Sequence, residues 1–516
     1  MATSVPAIRS ADRAWWASCL AAGLLIVLPA LATHHPPLLD LPAHEARIGV
    51  LHEILLAHHA SPYYRIDTFF LPDIAFDAVG LGLSLLFPPL LVGRIFVIAT
   101  LILGFTGVLA LRAALGERRD PAIPLLVALC AYNLNLLTGL LSYNLGAALM
   151  FWALAWRLRA MQARPLPRFA VGAGFGVALL FCHLAVFGLY ALVLGGMILE
   201  RLFRREIRMR TVVLIALELV PALLLYQFMS KAGQGGIEYD QPFLRMKFFN
   251  AIEAVTSGDP YADLAFLVGA IAVAVLVGSG RLRLDPVMRT PAVLLVLVYV
   301  VLPASIDGGA NVDSRIVMVV AMVLAAGLRF APARTGWRRV AVWTLALALV
   351  VKQVTLGLAW AGEGRQLAEI AAKMSALPRG AILTQAKCVP HSFDIPGIYR
   401  TLELPLGHVA AFAAQADQRF VGNSWTLKGQ QPIAARSAYV PFQHASARHL
   451  AGNCSPAAMH LVLAATRAAW HSLPAAPGAR PPVYLLLLRP PQPKMLAAAA
   501  PLIATIGPVE IYAAAP

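Results

Sequence analysis

Long apolar runs separated by short polar connections fill the chain as far as residue 360, and beyond it the pattern breaks into short alternating elements. Eleven runs come near the ~20 residues that a bilayer core requires: 14–33, 90–113, 121–137, 143–160, 168–183, 185–202, 211–229, 261–280, 290–305, 315–330 and 339–359. They predict about 11 transmembrane helices. Between the first two lies a long connection, 34–89. Within it, residues 42–58 place Ile48, Leu51 and Leu55 on one helical stripe, with Glu45, His52 and Glu53 mostly off it. This predicts an amphipathic helix on the membrane surface or against the span tops. The apolar stretch 74–88, ending at Pro88-Pro89, predicts a second interfacial helix. In the tail, 365–377, 407–416 and 457–470 read as helices, and 381–385, 483–488 and 509–512 as strands. Strands alternating with helices predict a small α/β domain.

The basic residues say how these runs are threaded. Twenty-one of the 42 sit in clusters on alternate connections, from Arg9 and Arg13 to Arg338 and Arg339, with only six acids among them. The clusters hold a net +15 of the chain's +16. By the positive-inside rule these connections face the cytoplasm. The charge is therefore a topology signal, and its scatter over short loops argues against nucleic-acid binding. An odd number of spans puts the N-terminus inside and the tail outside. Ala30-Leu31-Ala32 also fits a leader cleavage site, but the apolar run is long and many spans follow it. The expected division is a transmembrane domain, 1–360, with its first outer loop at 34–89, and a periplasmic α/β domain, 361–516. Cys19, Cys130 and Cys182 fall in spans as small packing residues. Cys388 and Cys454 fall in the tail, where an oxidising exterior allows a disulfide.

On this threading all 13 histidines lie on the outer side. Acid–base or metal chemistry therefore has its ingredients on that face. The sharpest group is Asp40, His44 and Glu45, where the chain leaves the first span. A helix start brings Asp40 and His44 to one side. Asp40 there suits a general base for a hydroxyl, oriented by His44 or a bound cation. It equally suits a helix N-cap before Leu41-Pro42. His183, at a turn between spans, is either an interfacial residue or a pocket contact. Asp67 and Asp73 offer further carboxylates in the first loop. Asp313 and Arg315 begin the tenth span, and Arg315 suits a phosphate clamp or an interfacial anchor. Arg94, at the top of the second span, invites the same two readings. Glu218 is an acid inside a span and calls for a partner or a cavity. No H-E-x-x-H, C-x-x-C, D-x-D, P-loop or dinucleotide fingerprint is present. No cofactor is called for, and a divalent cation stays open.

Asp40-Leu41-Pro42-Ala43-His44 followed by an amphipathic helix, with the short Asp313-Ser314-Arg315 loop, resembles the bacterial membrane glycosyltransferases of the GT-C superfamily. The resemblance covers the whole chain as architecture. It implies a GT-C-like polytopic α-helical fold and transfer of a sugar from a polyprenyl-phosphate donor to a glycan, lipid or protein hydroxyl at the outer leaflet. Carried onto this chain, it implies Asp40 as base, Arg315 as holder of the lipid phosphate and His183 as a pocket wall. Family members often carry paired acids in this loop; here Asp40 stands with His44 and Glu45. Two other classes fit the layout, an envelope scaffold and a transporter or flippase. A transporter predicts repeated halves and broken spans. Convergence of Asp40, His183 and Arg315 on one cavity would favour the enzyme over the scaffold.

Overall fold

A computed structural model describes residues 10–515 apart from 118, 163, 230–235, 307, 308, 310, 332–334, 388–404, 424, 425, 427, 428, 448–454, 475–479 and 491. Cys388 and Cys454 lie outside the described residues. Helix α1 (Ser10–Leu31) leads through a short loop to α2 (Leu41–Leu55). Strand β1 (Tyr64–Ile66), α3 (Ala75–Leu83) and the long α4 (Pro89–Ala114) follow. The expected span 121–137 is broken into α5 (Ala122–Leu129) and α6 (Leu134–Leu137), because Asn133 caps a new helix by accepting the Asn135 N–H. Next come α7 (Leu141–Arg159), α8 (Pro165–Cys182), α9 (Leu184–Phe203), α10 (Met209–Leu217) and α11 (Val220–Phe228). The middle of the chain adds β2 (Ile237–Glu238), α12 (Phe243–Ala254), α13 (Pro260–Gly278), β3 (Leu282–Leu284), α14 (Arg289–Val301), β4 (Ser305–Ile306), α15 (Ser314–Gly327) and β5 (Leu328–Phe330). Among the described residues, seven helices are long and apolar enough to cross a membrane, and the apolar stretches 286–301 and 314–327 are shorter.

Helix α16 (Thr335–Ser375) runs 41 residues without a break. The span 339–359 and the tail helix 365–377 are thus one element. At 1.5 Å per residue it is about 60 Å long, roughly twice a bilayer core. It carries the chain straight into the tail. There β6 (Ile382–Lys387), β7 (Phe420–Val421), β8 (Ile433–Ala435), α17 (Val440–Ala447), α18 (Pro456–His471), β9 (Val483–Leu488), β10 (Leu502–Ile506) and β11 (Val509–Ala515) complete the fold. Five strands form a mixed sheet in the order β10-β11-β9-β6-β7. Strand β6 runs parallel to β7 and β9, and β11 is antiparallel to β9 and β10.

The first loop and the tail share their cores. Strand β1 pairs antiparallel with β8, Tyr64 opposite Ala435. Val50, Leu51, Tyr63 and Tyr64 pack with Phe420, Phe442 and Leu485, while Ala43 and Ala46 pack with Ile370, Met374 and Phe412. Helix α2 is therefore covered on nearly every side, and Glu45 and Arg47 are as buried as Ile48 and Leu51. A single apolar stripe understates this helix, because α3 and α4 cover one flank and the tail segment Val409–Asp417 another.

The basic clusters meet one another. Arg119 pairs with Asp12 at 3.1 Å, Arg338 with Asp120 at 2.8 Å and Arg329 with Glu117 at 3.6 Å. Strands β3 and β5 zip two of these connections together. Glu218 finds its partner in Arg157, 3.1 Å away, and both are buried. The helix breaks there, between α10 and α11.

Candidate functional site

Four segments far apart in sequence build the site. The chain leaving α1 docks on the α6–α7 turn, where the Leu39 and Asp40 N–H groups donate to Leu137 O and Thr138 O at 2.9 and 3.3 Å. Gly139 makes this approach possible. Its φ is +78°, and a Cβ there would lie 2.8 Å from Asp40 N. Ahead of α3, Ile74 N–H donates to Phe181 O at 3.0 Å and Phe76 N–H to Ser142 Oγ at 3.0 Å. This clamps Asp73 between the start of α7 and the end of α8. Gly139→Ala is expected to strain the turn and displace Asp40. Activity should fall at least tenfold, with less than 2 kcal/mol lost from stability if the loop relaxes; assay and thermal unfolding of the same preparation would separate the two effects.

Asp40 stands at the N-cap position of α2, but its side chain makes no cap hydrogen bond. Pro42 and the backbone start the helix without it. Its carboxyl instead faces His408 of the tail, with Oδ1 3.3 Å from Nε2. Burial pushes Asp40 up to about 7; Arg47 and Arg315 oppose that rise and Asp73 adds to it. Asp73 is also raised to about 7, first by crowding and then by Asp77. The residue as a whole nevertheless reaches the surface.

Below them lies a buried ion pair that sequence reasoning missed. Arg47 Nε is 2.5 Å from Asp77 Oδ1, and Nη2 donates to Oδ2 at 3.0 Å. Nη2 is also 2.7 Å from His44 Nδ1. His44 is held well below the usual imidazole range, by burial and then by Arg47. It is therefore a neutral ring whose Nδ1 accepts from Arg47 and whose other nitrogen donates to Gly139. The available signal was Arg47 itself, the one basic residue between Arg13 and Arg65, one helical turn after His44.

On the other wall, His183 is the single extended residue between α8 and α9. Its Nδ1 accepts the Ala185 N–H at 3.1 Å and caps α9. The neutral ring then carries its proton on Nε2. Arg315 Nη1 lies 3.0 Å from that Nε2. Tyr143 supports both, its ring edge-on to His183 at 5.4 Å and its hydroxyl donating to Arg315 O at 2.7 Å. Arg315 is close enough to Asp40 and Asp73 for their charges to bias it.

The other expected site residues lie elsewhere. Glu45 is buried against the first turn of α4, where a Cβ on Gly93 would fall 2.2 Å from its Oε1. Burial holds its carboxyl well above the usual range. Asp313 is held by Lys247 at 2.6 Å and Asn250 at 3.3 Å. Arg94 donates to Ala30 O and Leu31 O and caps the C-terminus of α1. Asp67 accepts the Gly429 N–H and ties the first loop to the tail. Among the described residues no group of three His, Cys, Asp or Glu side chains is arranged to hold a metal ion.

Among solved structures the chain is similar to the crystal structure of ArnT from Cupriavidus metallidurans bound to undecaprenyl phosphate, at 15% identity and a TM-score of 0.48, over 97% of this chain and 98% of that one. No family model and no curated protein matches it.

Proposed function

We propose that this protein is a membrane glycosyltransferase that moves a sugar from a polyprenyl-phosphate donor to an acceptor hydroxyl at the periplasmic face of a bacterial inner membrane. The carrying observation is that Asp40, Asp73, His183 and Arg315, from four separate segments, lie close together: Arg315 touches His183, and its charge reaches both Asp40 and Asp73. Arg315 Nη1–H and His183 Nε2–H are two donors 3.0 Å apart. An anionic oxygen between them satisfies both, which a contact between two donors does not. That is the place for the lipid phosphate. Asp40 then serves as the base that takes the acceptor's proton, with its affinity raised by burial toward the working pH. Asp73, close enough for its charge to reach Asp40, binds sugar or acceptor hydroxyls in this reading. Residues 1–360 are then the membrane domain, and 361–516 closes the periplasmic side of the site.

The donor assignment is tested by native mass spectrometry of the detergent-extracted protein with undecaprenyl phosphate. Losing a charge-assisted bond costs about 1.5–3 kcal/mol. Arg315→Ala is therefore expected to weaken lipid binding by roughly 10- to 100-fold, and Arg315→Lys to recover part of it. Equal affinity in wild type and Arg315→Ala would remove Arg315 from the phosphate site.

A further inference from the structure

His408 belongs to the tail, more than 360 residues from Asp40 in sequence, yet its imidazole is 3.3 Å from the Asp40 carboxylate with both side chains mostly buried. Its place is built with care. It precedes the turn Val409–Asp417. Buried Gln385, on strand β6, grips the backbone on either side of it: Nε2 donates to Gly407 O, and Oε1 accepts the Ala410 N–H at 3.2 Å. Asn423 Nδ2 also donates to Gly407 O, at 3.3 Å. The ring is oriented by a backbone carbonyl: Nδ1–H donates to Asn423 O at 3.2 Å. A neutral His408 therefore carries its proton on Nδ1, and its unprotonated nitrogen is the Nε2 that lies 3.3 Å from Asp40 Oδ1.

We infer that His408 is the proton partner of Asp40, so that the tail completes the base on which the proposed transfer rests. With neither group protonated, Asp40 is a carboxylate beside a neutral imidazole. The acceptor O–H bond breaks and its proton goes to Asp40. The acceptor oxygen forms the new bond to the anomeric carbon, and the bond from that carbon to the phosphate oxygen breaks, the electron pair leaving with the lipid phosphate. The proton then passes from Asp40 to His408 Nε2, and the pair rests as carboxylate and imidazolium. Burial lifts the Asp40 carboxyl to about 7. Among the described residues, Arg47 from α2, Asp73 ahead of α3 and Arg315 from α15 face Asp40, and His44 from α2 faces His408. His408 acts through Asp40 and is a positioning and proton-storing residue.

Because the first proton binds to a two-site pair, its affinity exceeds that of Asp40 alone. Removing His408 should thus move the acid limb of the rate to lower pH while lowering the plateau by roughly 10- to 100-fold. A merely structural histidine leaves the limb in place, and a histidine that only keeps Asp40 ionised moves it upward when lost. The experiment uses the full chain in nanodiscs, with a panel of undecaprenyl-phosphate-linked pentoses and hexoses and release of undecaprenyl phosphate as readout. His408→Gln is compared with wild type from pH 5 to 9, and His408→Ala is assayed with and without added imidazole. A limb shifted down and partial rescue by imidazole support the pair; an unchanged or raised limb overturns it. In parallel, the side-chain nitrogen resonances of His408 are followed by NMR. Asp40→Asn should make the imidazolium lose its proton at a pH lower by about one unit or more, and identical titration in both proteins overturns the inference even where no transfer is measured. Unchanged transfer in Asp40→Asn refutes the glycosyltransferase mechanism instead, and leaves the NMR result to decide the proton pair by itself.

Discussion

Asp40→Asn should reduce sugar transfer by roughly 10²- to 10⁴-fold, the range supplied by a positioned general base, while leaving membrane insertion intact. The reason is local. The Asp40 side chain makes no cap bond to α2, so its replacement removes no helix-starting contact. The pH signature is specific. In the wild type, transfer falls with pH once the Asp40–His408 pair takes up its first proton, at or above the pH of about 7 at which the carboxyl alone would do so. The residual rate of the variant lacks that limb. Stability moves the other way. A carboxyl whose affinity for protons is raised in the folded state stabilises folding most at low pH, below its unfolded value, and that contribution is lost as pH rises through about 7. Asparagine does not ionise, so the variant should melt at a higher temperature than wild type at pH 8. The advantage should shrink or vanish near pH 4. Full transfer by Asp40→Asn, measured as undecaprenyl phosphate release, would take Asp40 out of the mechanism.

Arg47→Ala should be the most destabilising single change near the site. It leaves the Asp77 carboxylate, 1% exposed and bound through two oxygens, without its counter-charge, and it removes the contact that holds His44. Breaking one side of a buried pair costs about 3–5 kcal/mol. Thermal unfolding in detergent should show a fall of many degrees. Asp77→Ala should cost nearly as much, because it strands the guanidinium. The double replacement Arg47→Met with Asp77→Leu should recover most of the loss, since two apolar side chains leave no orphaned charge. Additive losses in the double variant would mean that the two residues do not act as a pair. At Asp40 the effect is electrostatic. Arg47 holds its carboxyl down against burial, so whatever activity Arg47→Ala retains should have its acid limb shifted upward.

Parts of this architecture could be read locally. Residues 42–58 announce a helix, and α2 occupies 41–55. Val483–Leu488 reads as a buried strand and is β9, at the centre of the sheet. Asp40, His183 and Arg315 were marked by being polar where apolar runs end, and they lie near one another, His183 against Arg315 and Arg315 within reach of the Asp40 charge. The same rule marked Arg94, Asp67 and Asp313, which turned out to cap a helix, anchor a loop and hold Lys247. A polar residue at the end of a span looks the same in sequence whether it faces a cleft or a neighbouring backbone. Glu45 was off the expected stripe and ended up buried, because α4 covers the flank that a lone helix would show to water.

What the sequence determined alone is the alternation of apolar runs and basic connections, hence a polytopic helical bundle, and the acidic turn after the first run. Those features repeat over a few residues and need no partner to be seen. Tertiary structure decided which acids meet, that Arg47 neutralises Asp77, and that His408 reaches Asp40. These pairings join residues tens to hundreds of positions apart. They depend on how α2 is wedged between α4 and the tail sheet, and side-chain periodicity along one element carries no information about what lies across from it.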